Sequence, residues 1–274
     1  CTKKIKNMKN CFITDSSDAI VKLLTKPFDI VKTTSHKSLK NDLGTDPVIV
    51  RGLTERKVIQ ICERQNRDYY YIDTGYMGNL QKRKDWHRVV KNNVQHMKPR
   101  YDLPADRFLA LPDSKNMRFK GWKKYDGPIL VVTPSEKPCM FYGITRDQWL
   151  EETMAELKKH TDRPIVIRDK AGRVDRVGNN SVPAQIDRER IYALVTYNSI
   201  AATEAISSGI PAVATAPGAA DELCTKKISD IENPYYAEDE KVVRWQNWLA
   251  YCNFNTTELA NGKALALLEE YELC

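Results

Sequence analysis

The chain has 274 residues, enough for two modest α/β domains or one large one, and its 42% hydrophobic and 29% charged content suits a globular chain that buries a core. No apolar run approaches the roughly 18 residues of a membrane span. The net charge of +7 is unevenly divided: residues 1–127 carry 27 Lys and Arg against 14 Asp and Glu, and residues 128–274 carry 16 against 22. Opposite charges in two halves predict two domains, 1–127 and 128–274, and the basic half suits a polyanion, with nucleic acid the first candidate.

The opening CTKKIKNMKN is basic and polar, without the apolar core of a signal peptide. A chain that starts at Cys1 fits trimming, or a natural start at Met8. The seven cysteines form no CxxC and no Cys/His cluster. Reduced thiols and a cytoplasmic location are therefore expected, with no metal.

In chain order, Cys11–Thr14 reads as a strand, Asp15–Asp18 as a capping turn, and Ala19–Leu24 as a helix. Asp29–Lys32 is a second strand, Thr33–Asp46 a polar loop, and Val48–Val50 a buried strand before the helix Thr54–Arg64. Tyr69–Asp73 and Trp86–Lys91 are further strands, separated by a Gly-rich turn. Residues 92–124 have no clear period, and Trp122–Pro128 reads as an interdomain linker. The second half gives strands at Ile129–Thr133, Pro164–Arg168, Tyr192–Thr196 and Ala212–Thr215. They alternate with helices at Arg146–His160 and Ser199–Ser208, around a polar loop at Gly172–Pro183. The helices Glu238–Tyr251 and Thr257–Glu270 close the chain. Apolar strands alternating with helices imply parallel βαβ units with helices on both faces.

The stretch ALVTYNSIAATEAISSGIPAVATAP, Ala193–Pro217, reads as strand, turn, helix and strand. Ligands of open α/β sheets bind beyond the carboxyl ends of strands, at helix starts. Thr196, Asn198 and Ser199 offer small polar groups there to a pyrophosphate, and Glu204 lies one turn further, in reach of a ribose hydroxyl. Gly209-Ile210-Pro211 ends the helix. Arg168 and Lys170 are candidates for the diphosphate charge, and Thr133 and Ser135 close the neighbouring strand. The absence of GxGxxG, Walker A and HExxH weighs against hydride transfer, P-loop hydrolysis and zinc hydrolysis.

The segment VTYNSIAATEAISSGIPAVA resembles the nucleotide-sugar segment of GT-B glycosyltransferases. DIENP, RWQNWLAYCNFNTTELANG, YYYIDTGYMG and HRVVKN are similar to segments of small phage-type proteins of that class, which modify DNA bases. The resemblance implies two Rossmann-like domains facing a cleft, with C-terminal helices, a UDP-sugar such as UDP-glucose as co-substrate and no further cofactor. It also implies an acceptor on the first domain, with 5-hydroxymethylpyrimidine in DNA in the lead. Asp73, at the end of the YYYID strand, is the candidate general base, with His87 and His96 as alternatives. Tyr76, Lys82, Arg83, Lys84, Arg88 and Lys91 are the candidate DNA contacts. Further cations up to Lys124, interleaved with Trp86, Tyr101, Phe119 and Trp122, would extend that surface. Three other readings stand beside this one: transfer to a cell-surface glycan or small molecule, a nucleotide-sugar epimerase, and a non-catalytic DNA-binding protein.

Overall fold

The computed structural model describes residues 8–79, 85–112, 114–169 and 177–273. Ten strands run in chain order among these residues: β1 Met8–Ile13, β2 Phe28–Thr33, β3 Val48–Arg51, β4 Tyr69–Thr74, β5 Trp86–Lys91, β6 Ile129–Val132, β7 Ile165–Arg168, β8 Ala193–Thr196, β9 Ala212–Ala214 and β10 Asn253–Asn255. They make two sheets, in the orders β10-β5-β4-β3-β1-β2 and β7-β6-β8-β9. The contacts of the chain divide it into two compact units. The first comprises the residues up to Tyr76, residues 85–96 and the chain from Tyr251; the second is essentially Met97–Ala250. Residues 97–127 thus go with the second unit and the last two helices with the first, where the sequence suggests a single break after Gly127.

In the first unit β1 to β4 are parallel, with Cys11 opposite Val31 and Ile49 opposite Tyr70. The sequence predicts parallel strands throughout, but β5 and β10 are antiparallel, with Ile72 opposite Val89 and Phe254 opposite His87. The connection from β4 to β5 is only 11 residues long, shorter than the dozen or more of a parallel crossover. Asp18 starts the helix Ala19–Thr25, its Oδ1 accepting the amides of Ile20 and Val21 at 2.8 and 2.9 Å. The helix Arg56–Gln65 buries Val58, Ile59, Ile61 and Cys62, the spacing of one helical face. The polar loop expected over Thr33–Asp46 contains the short helix His36–Lys40, capped by Ser35; only Leu39 is buried there, too little for a period. The helix expected over Thr257–Glu270 breaks at Gly262, whose φ is +79°, into Thr256–Ala260 and Lys263–Glu270.

The second sheet is parallel throughout, and every residue of β6 and β8 is buried. Besides the single helical turns Asp106–Leu109 and Ser114–Met117, two helices of this unit were not predicted, Glu136–Phe141 and Val182–Glu189. Each carries a proline, Pro138 and Pro183, in its first turn, where a missing N–H costs nothing. The stretch expected as a linker is instead packed into the unit. The Phe119 amide donates to Gln246 Oε1 at 3.0 Å, Gln246 Nε2 to the Met117 carbonyl at 2.8 Å, and Trp122 Nε1 to the Ala237 carbonyl at 2.8 Å. Cys11, Cys62, Cys139, Cys224 and Cys252 are buried and joined in no disulfide. No described helix is long and apolar enough to cross a membrane.

Gly209 ends the helix Ala201–Ser207 with φ +84°, and a Cβ there would lie 2.4 Å from the Gly121 carbonyl oxygen. Its own carbonyl accepts the Lys123 amide at 2.6 Å. Gly209→Ala therefore combines a left-handed backbone penalty with displacement of the packed segment. It is expected to lower stability by about 2 kcal/mol or more, read as the shift in a urea unfolding midpoint.

Candidate functional site

In both sheets the first strand of the unit lies between the second and the third: β1 between β2 and β3, and β6 between β7 and β8. Connections leaving such a strand and its third-strand neighbour diverge to opposite sides, opening a crevice beyond their carboxyl ends. In the second unit that edge is formed by residues following Val132 and Thr196, which are directly paired.

The structure brings the sequence candidates of this unit to one edge, but not all in the same role. Thr196 is fully buried and its hydroxyl donates to the Val132 carbonyl at 2.9 Å. Thr133 is buried as well, its hydroxyl 3.1 Å from Asp169 Oδ1 and its amide donating to the Arg168 carbonyl at 3.0 Å. These two threonines tie strand ends together. Arg168 is also engaged: Nη1 donates to Gln185 Oε1 at 2.6 Å and Nη2 to the Asn180 carbonyl. It therefore holds the Gly178–Asn180 turn and the helix Val182–Glu189. Ser135 begins the helix Glu136–Phe141, yet its hydroxyl accepts no capping hydrogen bond. Asn198 is 9% exposed, and Ser199 Oγ accepts the Ala201 amide at 3.2 Å. Glu204 is half-buried in the first turn of the helix Ala201–Ser207. Lys170 lies outside the described residues.

Behind this edge stands an aromatic group that the sequence reading missed. Tyr197 meets Tyr142 and Trp149 edge to face at 6.0 and 6.1 Å, and Trp149 Nε1 donates to Thr215 Oγ1 at 2.7 Å. Burial pushes the Tyr197 phenol up to about 12, with Cys139 and Tyr142 adding to the effect. These rings fix the turn between β8 and its helix from below.

The corresponding edge of the first unit is charged. Asp73 Oδ2 accepts the Tyr71 hydroxyl at 2.8 Å and pairs with Arg88 Nη2 at 3.2 Å, while Oδ1 accepts the Thr74 amide at 2.7 Å. Burial works against the carboxylate, but Arg88, the Thr74 amide, the Tyr71 hydroxyl and Arg51 together hold its pKa below the ordinary range. The side chain is 37% exposed. Arg51 closes β3, with Nη1 3.3 Å from His87 Nδ1 and Nε 3.8 Å from Asp18 Oδ2. His87 is 2% exposed. Asp18 and Arg51 were not among the sequence candidates. An arginine ending an apolar strand and followed by glycine, as in Val48–Gly52, was the available signal.

The expected DNA surface does not form from the described candidates. Tyr76 is buried, its amide bonded to Asn253 Oδ1 and its hydroxyl to Gln95 Oε1 and near His96 Nδ1. Arg88 is buried beneath Asp73, its guanidinium carbon 5.6 and 5.2 Å from the Tyr71 and Tyr76 ring centres. Lys91 pairs with Asp68 at 2.9 Å. Further along, Phe119 is core, Arg118 lies over Phe108 and donates to Asn247, Lys123 pairs with Asp187, and Arg100 pairs with Asp102. The interleaved cations and aromatics serve contacts within the chain. Lys82, Arg83 and Lys84 lie outside the described residues. Among the described residues no group of three or more His, Cys, Asp and Glu side chains could hold a metal ion.

No protein-family model matches the chain, and no curated protein matches it in sequence. Among solved structures it is similar to Thermosulfurimonas dismutans KpsC, a β-Kdo 2,7-transferase, with a TM-score of 0.52 and 14% identity. The match covers 93% of this chain and 99% of that one. A second KpsC structure from the same organism, a β-Kdo 2,4-transferase, aligns with a TM-score of 0.48 and 12% identity, over 88% and 90% of the two chains. The first match, spanning nearly all of both chains, shows a shared fold: the α/β, two-domain GT-B type expected from the sequence.

His96 is fully buried, and burial together with the nearby Arg88 charge lowers its pKa to about 3. Below about pH 6.5 the unfolded chain takes up a proton that the folded one refuses, so stability is full above that pH and falls with acid. Between about pH 6.5 and 4.5 this site should cost about 1.4 kcal/mol per pH unit, a slope that chemical denaturation should find flattened in His96→Gln. Asp73→Ala strands a buried guanidinium. It should cost about 2–3 kcal/mol, less than a fully buried pair because Asp73 is partly exposed, and Asp73→Asn should cost less.

Proposed function

We propose that the chain is a glycosyltransferase that moves a sugar from a nucleotide sugar, held at the carboxyl edge of the second sheet, to a hydroxyl of a glycan. The observation that carries this reading is the pairing of β6 with β8 at the sheet's switch point. It sets Ser135 and Asn198-Ser199 on adjacent loops, each leading into a helix. In this reading those three side chains and the neighbouring amides contact the diphosphate, and Glu204 contacts the ribose. Thr133 and Thr196 keep the strand ends in place. Arg168 shapes the adjoining loop, leaving Lys170 as the cation proposed for the diphosphate. The transferase reading is supported by the fold shared with KpsC, a protein described as a β-Kdo transferase.

A glycan acceptor is favoured over DNA because Tyr76 and Arg88 are interior and Lys91 is paired. Asp73 is the proposed base. Its depressed pKa keeps it ionised at neutral pH, ready to accept a hydroxyl proton as the sugar is transferred. His87 has too little exposure to meet a substrate, and in this reading it positions Arg51.

A panel of nucleotide sugars including UDP-glucose, at about 100 times Kd, should stabilise the protein by about 2.7 kcal/mol, a rise of several degrees in Tm. Ser135→Ala and Asn198→Ala should each weaken that binding about five- to tenfold. A panel that moves Tm nowhere would overturn the donor site. With labelled donor, sugar should pass to an oligosaccharide; label in 5-hydroxymethylated DNA alone would overturn the glycan acceptor. Asp73→Asn should lower kcat about 100-fold or more and leave the nucleotide-sugar shift intact. Full turnover in that variant would remove Asp73 from the chemistry.

A further inference from the structure

A second concavity of the second unit, about 510 Å³, lies at the opposite end of its sheet. Its lining residues Asp126, Arg163 and Tyr192 come shortly before β6, β7 and β8, at the amino ends of these strands. The strands are four residues long, which separates this concavity from the candidate donor edge by about 13 Å.

The floor of the concavity is held rigidly. The Arg163 guanidinium stacks 3.7 Å from the centre of the Tyr192 ring. Its Nε donates to both oxygens of Glu232 at 3.1 and 3.0 Å, and its Nη1 to the Asp126 carbonyl and carboxylate at 3.0 and 3.3 Å. The Tyr192 hydroxyl donates to the Glu232 carbonyl at 3.0 Å. Arg163 thus uses its charge on two carboxylates. The wall is less committed: Tyr236 packs edge to face on Trp122 at 5.2 Å, and the exposed ammonium of Lys124 lies 5.9 Å from the Tyr236 ring centre. Tyr125 and Asn233 complete it. Lys124 forms no ion pair among the described residues, and neither the side-chain amide of Asn233, whose backbone N–H donates to the Asp230 carbonyl at 2.9 Å, nor the Tyr236 hydroxyl has a hydrogen-bond partner there.

From this arrangement we infer an accessory binding site for an acidic saccharide. Tyrosine faces suit the C–H face of a sugar ring. The Asn233 amide, the Tyr236 hydroxyl and the outward lone pairs of Asp126 and Glu232 suit its hydroxyls, and the unpaired Lys124 suits a carboxylate substituent. A lone phosphate has neither a ring face for the tyrosines nor hydroxyls to donate to Asp126 and Glu232, and would meet Lys124 alone. The volume is that of a small-ligand pocket. The use of this site, holding remote units of a glycan acceptor, rests on the transferase reading; binding itself does not.

Calorimetric titration of the full chain with tetragalacturonate tests the site directly, with maltotetraose as the neutral control. Tetragalacturonate should bind, and Lys124→Ala and Tyr236→Ala should each weaken it about fivefold or more. Lys124 is exposed, so its variant should keep the wild-type Tm and remains decisive if Tyr236→Ala unfolds. Asn198→Ala at the donor edge should leave this titration unchanged, and Lys124→Ala should leave the nucleotide-sugar shift unchanged, so the two sites fail or stand separately. Absence of tetragalacturonate binding, or binding that Lys124→Ala does not weaken, would overturn the site. Equal affinity for maltotetraose would overturn its acidic preference, and competition by oligothymidylate would reassign it to nucleic acid.

Discussion

The proposed donor site depends on a reversal of strand order. In each sheet the first strand of the unit is flanked by the second on one side and the third on the other, so the chain leaves the middle of the sheet in two directions. The loops that part there cannot cover each other, and the carboxyl edge stays open between them. Burial then decides what each edge can hold. All of β6 and β8 is interior, so the polar groups that terminate these strands must be satisfied on the spot. Thr196 and Thr133 meet that demand with main-chain and Asp169 partners. In the proposed reading the side chains two and three residues further along, Ser135, Asn198 and Ser199, meet the ligand.

The two edges differ in kind. The second unit presents hydroxyls and an amide above an aromatic bed, with Arg168 engaged by Gln185 and the Asn180 carbonyl. The first unit presents Asp73, Arg88, Arg51 and Asp18, with Arg88 drawn inside the unit. A buried ion pair contributes little net stability, because desolvation offsets its attraction. Perturbed carboxylates supported in this way are found where chemistry is done, which is why Asp73 rather than a more exposed acid is assigned the proton.

Much of the fold was legible because apolar runs such as VIV, ILVV and ALVT are short, continuous and bounded by turn residues. What escaped had weak local signals. The helices with Pro138 and Pro183 in their first turns look like loops, and β10 has only three residues, Asn253–Asn255, set between helices. The direction of β5 is a matter of what lies between it and β4, not of its own residues. At the candidate site the small-residue turn Thr196–Ser199 could be located from pattern alone. Its division into strand anchors and available groups could not, since a threonine spent on the Val132 carbonyl and one facing a ligand read alike. The basic run misled for a related reason. Composition counts Arg88, Arg118 and Lys123 as surface charge, whereas the fold gives each a partner within the chain.

The central claim is that the edge between β6 and β8 receives a nucleotide sugar. Hydrogen–deuterium exchange, with and without a nucleotide sugar that stabilises the protein, tests it most directly. The account predicts slowed exchange over residues 133–137 and 197–204. Protection absent from both segments, with the ligand demonstrably bound, would contradict it.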